Sequence, residues 1–110
     1  MKEGDIALAS LQQADGQRKL RPVLLFKQMP PYQDWLVCGI SSQLRQAVAN
    51  FDEVVQENDD DFLQSGLTVS SVIRLGFLAT LPSRDLAGVI GQISQSRYQQ
   101  LIENLIDKLS

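Results

Sequence analysis

Arg21 and Ser41 stand at the ends of two apolar runs, Leu20-Arg-Pro-Val-Leu-Leu-Phe-Lys27 and Leu36-Val-Cys-Gly-Ile-Ser-Ser-Gln43. If the runs are neighbouring strands of one sheet, a guanidinium cation and a hydroxyl converge on a single ligand, and phosphate is the group that fits both. The spacing is also compatible with a plainer role. Arg21 precedes a proline of the kind tolerated at the start of a strand, and Ser41 would then simply end one.

The remaining reactive side chains narrow the chemistry. The chain has no histidine and one cysteine. Cys-His and Ser-His nucleophile pairs are therefore impossible, as are zinc sites built from those two residues. Cys38 lies inside the apolar run Trp35 to Ile40, so a small buried hydrophobe is expected rather than a disulfide partner. Asn58-Asp-Asp-Asp61 invites comparison with a calcium loop, but it lacks the spaced oxygen ligands, central glycine and closing glutamate. A solvated turn capping a segment at Phe62 is the expectation there, and no metal site is assigned. Gly88 and Gly91 lack the third glycine and the lysine of phosphate-cradling loops and predict a bend instead.

The elements that must position Arg21 and Ser41 can be read from periodicity. Asp5 to Leu11 alternates in the manner of a half-buried strand, Ala14-Asp-Gly16 is a hairpin turn, and Pro22 to Phe26 should return antiparallel. Arg18 to Arg21 would then sit in the exposed hairpin loop. Met29-Pro-Pro-Tyr32 predicts a loop over about residues 28 to 34. Trp35 to Ser41 is almost continuously apolar, which predicts a central strand covered on both faces. Residues 42 to 50 read as irregular or briefly helical, and 51 to 56 as a short strand. A single helical turn follows from near Asp61 to Gly66. Thr68 to Leu75, Phe77 to Leu81 and Leu86 to Ile93 read as three further strands, the last twisted or bulged. From Ser96 a capping box, Ser96-x-x-Gln99, opens a helix whose stripe is Tyr98, Leu101, Ile102, Leu105, Ile106 and Leu109. Such a stripe serves core packing or a second subunit. The expected fold is mainly β, an SH3-like or similar small barrel of five to seven short strands with a C-terminal α-helix.

At 110 residues and 44% apolar content the chain fits one domain, residues 1 to 110. No stretch approaches the roughly 18 apolar residues of a membrane span, and Met1-Lys-Glu-Gly-Asp5 lacks a signal peptide's apolar run, so a cytoplasmic, soluble protein is expected. The net charge of −3 is unevenly spread: residues 1 to 50 carry six Lys/Arg against four Asp/Glu (+2), residues 51 to 110 four against nine (−5). Arg18, Lys19, Arg21 and Lys27 crowd one region, where they either neutralise nucleic-acid phosphates or remain solvated hairpin charges.

Gly4-Asp-Ile6, Arg21-Pro-Val-Leu24, Gly39-Ile-Ser-Ser-Gln43, Ser71-Val-Ile-Arg-Leu75 followed by Ala79-Thr-Leu81, and Ile90-Gly-Gln-Ile-Ser94 occur in an order and spacing that resembles the MazF/PemK family of toxin ribonucleases. The resemblance implies a small β-barrel toxin, a homodimer as a rule. Such a toxin cuts single-stranded RNA without metal or cofactor, is silenced by a cognate antitoxin and reaches promoter DNA only through the antitoxin complex. It implies Arg21 and Ser41 as the catalytic pair, Arg21 at the position that assists proton transfer and stabilises a phosphorane-like transition state. Gln43 falls at a position that contacts RNA, and Arg18 and Lys19 join it as expected RNA-binding residues. RNA supplies its own nucleophile in the 2′-hydroxyl, so the lack of histidine is no obstacle. Arginine's high pKa makes charge stabilisation the better fit for Arg21 than proton shuttling. Ser41 stands where relatives most often carry threonine, and the first hairpin loop is short. A catalytically inactive barrel that binds nucleic acid or a peptide, or that acts mainly as an antitoxin's partner on promoter DNA, is the alternative reading.

Overall fold

The computed structural model describes residues 1–110. In chain order it has β1 (Asp5–Gln12), β2 (Arg18–Met29), β3 (Asp34–Ser41), β4 (Glu53–Val55), α1 (Phe62–Ser65), β5 (Ser71–Leu81), β6 (Leu86–Gln92) and α2 (Gln95–Leu109), with single 3₁₀ turns at Leu44–Gln46 and Ser83–Asp85. The six strands form one antiparallel sheet in the order β4-β5-β3-β2-β1-β6. The mainly β fold with a C-terminal helix thus holds, with β3 central between β2 and β5. The barrel is a half-barrel, since β4 and β6 end the sheet without pairing to each other.

The sheet is buried on both sides because successive residues of its inner strands point to opposite faces. One face carries Ile6, Leu24, Phe26, Cys38 and Ile73, packed with Tyr98 and Leu101 of α2. Tyr98 Oη donates to the Phe26 carbonyl oxygen (2.8 Å), and burial, joined by the Glu3 carboxylate, pushes its phenol up to about 12. The other face carries Ala7, Ala9, Val23, Leu25, Trp35 and Val37, which the curl of the sheet brings against Leu86. β1 is therefore not the half-buried strand its alternation predicted: Ile6, Ala7 and Ala9 are all fully enclosed.

Four further expectations change. Arg18 to Arg21 belong to β2 rather than to a loop, because the hairpin pairing continues through Gln12↔Arg18 and confines the turn to five residues, 13 to 17. Residues 71 to 81 form one strand where two were expected. Its register jumps from Cys38↔Leu78 to Gly39↔Arg74, leaving Leu75, Gly76 and Phe77 as a bulge. The cap of α2 is Ser94, whose hydroxyl accepts from the Arg97 backbone N–H (3.2 Å), so the helix starts before the Ser96 box. Only the first half of its stripe is enclosed, with Ile106 and Leu109 exposed beyond the body of the sheet.

The acidic tract also departs from a solvated turn. Asp61 is buried and makes no capping bond to α1; its carboxylate instead receives Arg97 Nε (2.8 Å) and the Ser94 N–H (3.0 Å). Arg97 Nη2 reaches Asp59 (3.0 Å), and Nη1 reaches Glu53 (3.1 Å) and the Val54 carbonyl (3.0 Å). Burial alone would raise the Asp61 carboxyl, but these hydrogen bonds and the Arg97 charge hold it below the ordinary carboxylate range. The cluster ties α2 to β4 and to the turn before α1.

Gly91 of β6 and Gly66 after α1 are explained by the contact between these two elements. A Cβ on Gly91 would lie 2.3 Å from the Gln64 carbonyl oxygen, and one on Gly66, at φ +75°, 2.1 Å from that of Ile90. The helical turn lies against β6 so closely that neither position has room for a side chain.

Candidate active site

β2 and β3 hold their register through Val23↔Gly39. Two residues further along that register Arg21 lies across from Ser41, and opposed residues of an antiparallel pair point to the same face. Both line a cleft of about 640 Å³ at this end of the sheet. Gln12 at the end of β1, with Gln13 and Ala14 of the hairpin turn, forms one wall; Gln43 and Gln46 follow β3; Thr68 and Val69 precede β5; Arg74 and Phe77 come from β5 itself.

The charge of the cleft is opposite to that of the chain. Its only ionisable residues of fixed charge are Arg21 and Arg74, and no aspartate or glutamate lines it. All five ion pairs of the protein, formed by Lys2, Lys27 and Arg97, lie elsewhere. Two guanidinium groups with no carboxylate to satisfy them leave donors free of ion pairs, and a phosphodiester is a group that can accept such donors.

Ser41 is held by its own turn. Its hydroxyl oxygen accepts the Gln43 backbone N–H (3.1 Å), which fixes a side chain without the β-branch that would restrict threonine. The hydroxyl proton remains available for an acceptor in the cleft. Gln43 lines the same wall, its side-chain oxygen accepting from Arg45 Nη1.

The other expected RNA contacts are placed differently. Arg18 is fastened to β1, its guanidinium donating to the Ser10 hydroxyl (3.0 Å) and carbonyl (2.6 Å), and it does not line the cleft. Lys19 also lies outside, though as residue i−2 it shares the face of Arg21. Lys27, counted with the basic group, pairs with Glu3 at 3.1 Å. Sequence reading missed Arg74 and Phe77. The available signal was a cation inside the apolar strand Ser71-Val-Ile-Arg-Leu75.

A family model described as PemK-like, MazF-like toxin of type II toxin–antitoxin system matches residues 2–109. The chain belongs to this family. It shares its fold with the Mycobacterium tuberculosis toxin MazF-mt6, at 24% identity and a TM-score of 0.71, over 96% of this chain and 95% of that one. No curated protein sequence matches it. For a PemK/MazF-like toxin, Arg21 of β2, Arg74 of β5 and the Ser41 hydroxyl at the end of β3 are the place to look for its chemistry. Cys38 is not: burial, reinforced by the Asp52 charge, pushes its thiol far above the ordinary range despite a backbone hydrogen bond from Leu24. No helix of the protein is long and apolar enough to cross a membrane.

Proposed function

We propose that this toxin is an endoribonuclease that cleaves single-stranded RNA in the cleft between β2, β3 and β5. The observation that carries the proposal is the carboxylate-free cleft of Arg21, Ser41 and Arg74 in a chain of net charge −3. RNA brings the nucleophile. Its 2′-oxygen bonds to the adjacent phosphorus while the P–O5′ bond breaks, and the proton lost from the 2′-hydroxyl is balanced by one gained at the 5′-oxygen through solvent. The products are a 2′,3′-cyclic phosphate and a 5′-hydroxyl. Arg21 takes up charge gathering on the nonbridging oxygens, and Ser41 donates its hydroxyl proton to the same group. Arg74 adds a second cation to the wall. Gln43 contacts the strand beside the reacting phosphate, and Lys19, on the same face of β2 as Arg21, serves the backbone of a longer RNA. The cleft offers no carboxylate, imidazole or thiolate to hold a divalent ion, so the reading is of metal-independent cleavage. It also includes a homodimer in the cytoplasm, a cognate antitoxin as inhibitor, and promoter DNA bound only through that antitoxin.

Purified protein incubated with a long single-stranded RNA in EDTA tests this. Discrete cuts ending in 2′,3′-cyclic phosphate are expected, with Arg21→Ala slower by on the order of 10² to 10³, as for deletion of an oxyanion donor. A loss below about tenfold, only about 1.4 kcal/mol, removes Arg21 from the mechanism. Intact RNA at high protein concentration replaces the ribonuclease with a binding module.

A further inference from the structure

The bulge in β5 has a visible product. Between Cys38↔Leu78 and Gly39↔Arg74 three residues of β5 have no partners on β3, and such bulges re-aim side chains beside active sites. The first of them, Leu75, turns into the core, and its N–H, lost to the ladder, is taken by the Asp52 carboxylate at 3.0 Å. The third, Phe77, is left 42% exposed on the wall of the cleft. Its ring lies over Gly39: a Cβ at residue 39 would come within 3.0 Å of Phe77 Cδ1 and 3.2 Å of Cγ. An aromatic ring is thus seated on bare backbone at one side and open to the cleft at the other, on the same strand as Arg74 and beside the Arg21 and Ser41 wall.

The geometry points to Phe77 as a stacking platform for one nucleobase of the bound strand, adjoining the phosphate held by Arg21 and Arg74. Single-stranded nucleic acid is recognised by this combination of cation for backbone and aromatic face for base. A sheet partner or a second protein would be served equally by any apolar side chain at residue 77, whereas a base requires a flat one. The inference rests on the ribonuclease reading and adds to it which side chain reads the base next to the cut.

The test uses a short oligonucleotide with a 2′-deoxy residue at the cut site, which binds without being cleaved. Binding is followed by fluorescence anisotropy for wild type, Phe77→Leu and Phe77→Trp, with abasic residues scanned through the strand. Phe77→Leu should weaken binding by about 5- to 100-fold, and Phe77→Trp should restore it. One abasic position should lower wild-type affinity to that of Phe77→Leu, at which point the substitution has no further effect. Equal affinity for the wild type and Phe77→Leu in a protein that still cuts ordinary RNA overturns the platform alone. The same holds if Phe77→Leu changes only the oligomeric state seen by sedimentation. A wild type that neither binds the oligonucleotide nor cuts RNA overturns the ribonuclease reading and the platform with it.

Discussion

Two regions of this protein are built around arginine, and they differ in what surrounds the guanidinium. Arg97 is largely enclosed by Asp61, Glu53, Asp59 and the Val54 carbonyl, so most of its donors are spent within the fold. Arg21 and Arg74 line an open cleft that contains no carboxylate. The same side chain is a structural fastener in one place and is left without an ion-pair partner in an open cleft in the other. Pairing, rather than residue type or local charge density, separates the two.

The comparison breaks most decisively at Arg97. Arg97→Ala strands Asp61, which is 4% exposed, among groups that can no longer neutralise it, and should cost about 3 to 5 kcal/mol by denaturant unfolding. Stability lower by less than about 1 kcal/mol would make the cluster a surface ornament. Arg21→Ala should behave in the opposite sense. It removes on the order of 10² to 10³ in RNA cleavage, about 2.7 to 4 kcal/mol of transition-state stabilisation, while unfolding shifts by no more than about 0.5 kcal/mol. An Arg21 variant that unfolds easily would place that residue in the structural class as well.

The helix start sharpens the comparison at a smaller scale. The Ser94 hydroxyl caps α2 by accepting the Arg97 N–H, so Ser94→Ala should lose about 1 kcal/mol. Ser96→Ala should lie within about 0.5 kcal/mol of wild type by the same measurement, and the reverse order would restore the Ser96 box.

Acid provides a check that leaves the guanidinium groups charged. The Asp61 carboxyl is lowered in the folded state, so its contribution is complete above the ordinary carboxylate value of about 3.9 and is lost as pH falls through the folded value. Melting temperature followed from pH 6 downward should therefore fall more steeply below about pH 4 for wild type than for Asp61→Asn. Parallel curves would mean that Asp61 is not held by Arg97 in solution.

The fold was largely legible because its signals are local. Alternation, the Asp-Gly turn, Gly66 as a helix end and the stripe of α2 each depend on residues a few positions apart. The β5 bulge was not, since it arises from how Gly39 and Asp52 meet that strand from other parts of the chain. The acidic tract was misread for a similar reason: Asp61 and Arg97 are 36 residues apart and show no pattern when read in order. In the candidate site, Arg21, Ser41 and Gln43 were named from strand ends and family resemblance, and the fold gathers them at one cleft. Arg18 was counted among them for its charge, which is no guide to the fact that Ser10 holds it away.

The sequence by itself determined the order of elements and the family, and it singled out Arg21 and Ser41, because short-range periodicity and ordered motifs are written along the chain. Only the tertiary structure decided which arginines are free. Carboxylates at residues 53, 59 and 61 reach Arg97, and none reaches Arg21 or Arg74. Ion pairing depends on distances of a few ångströms between groups that composition merely counts.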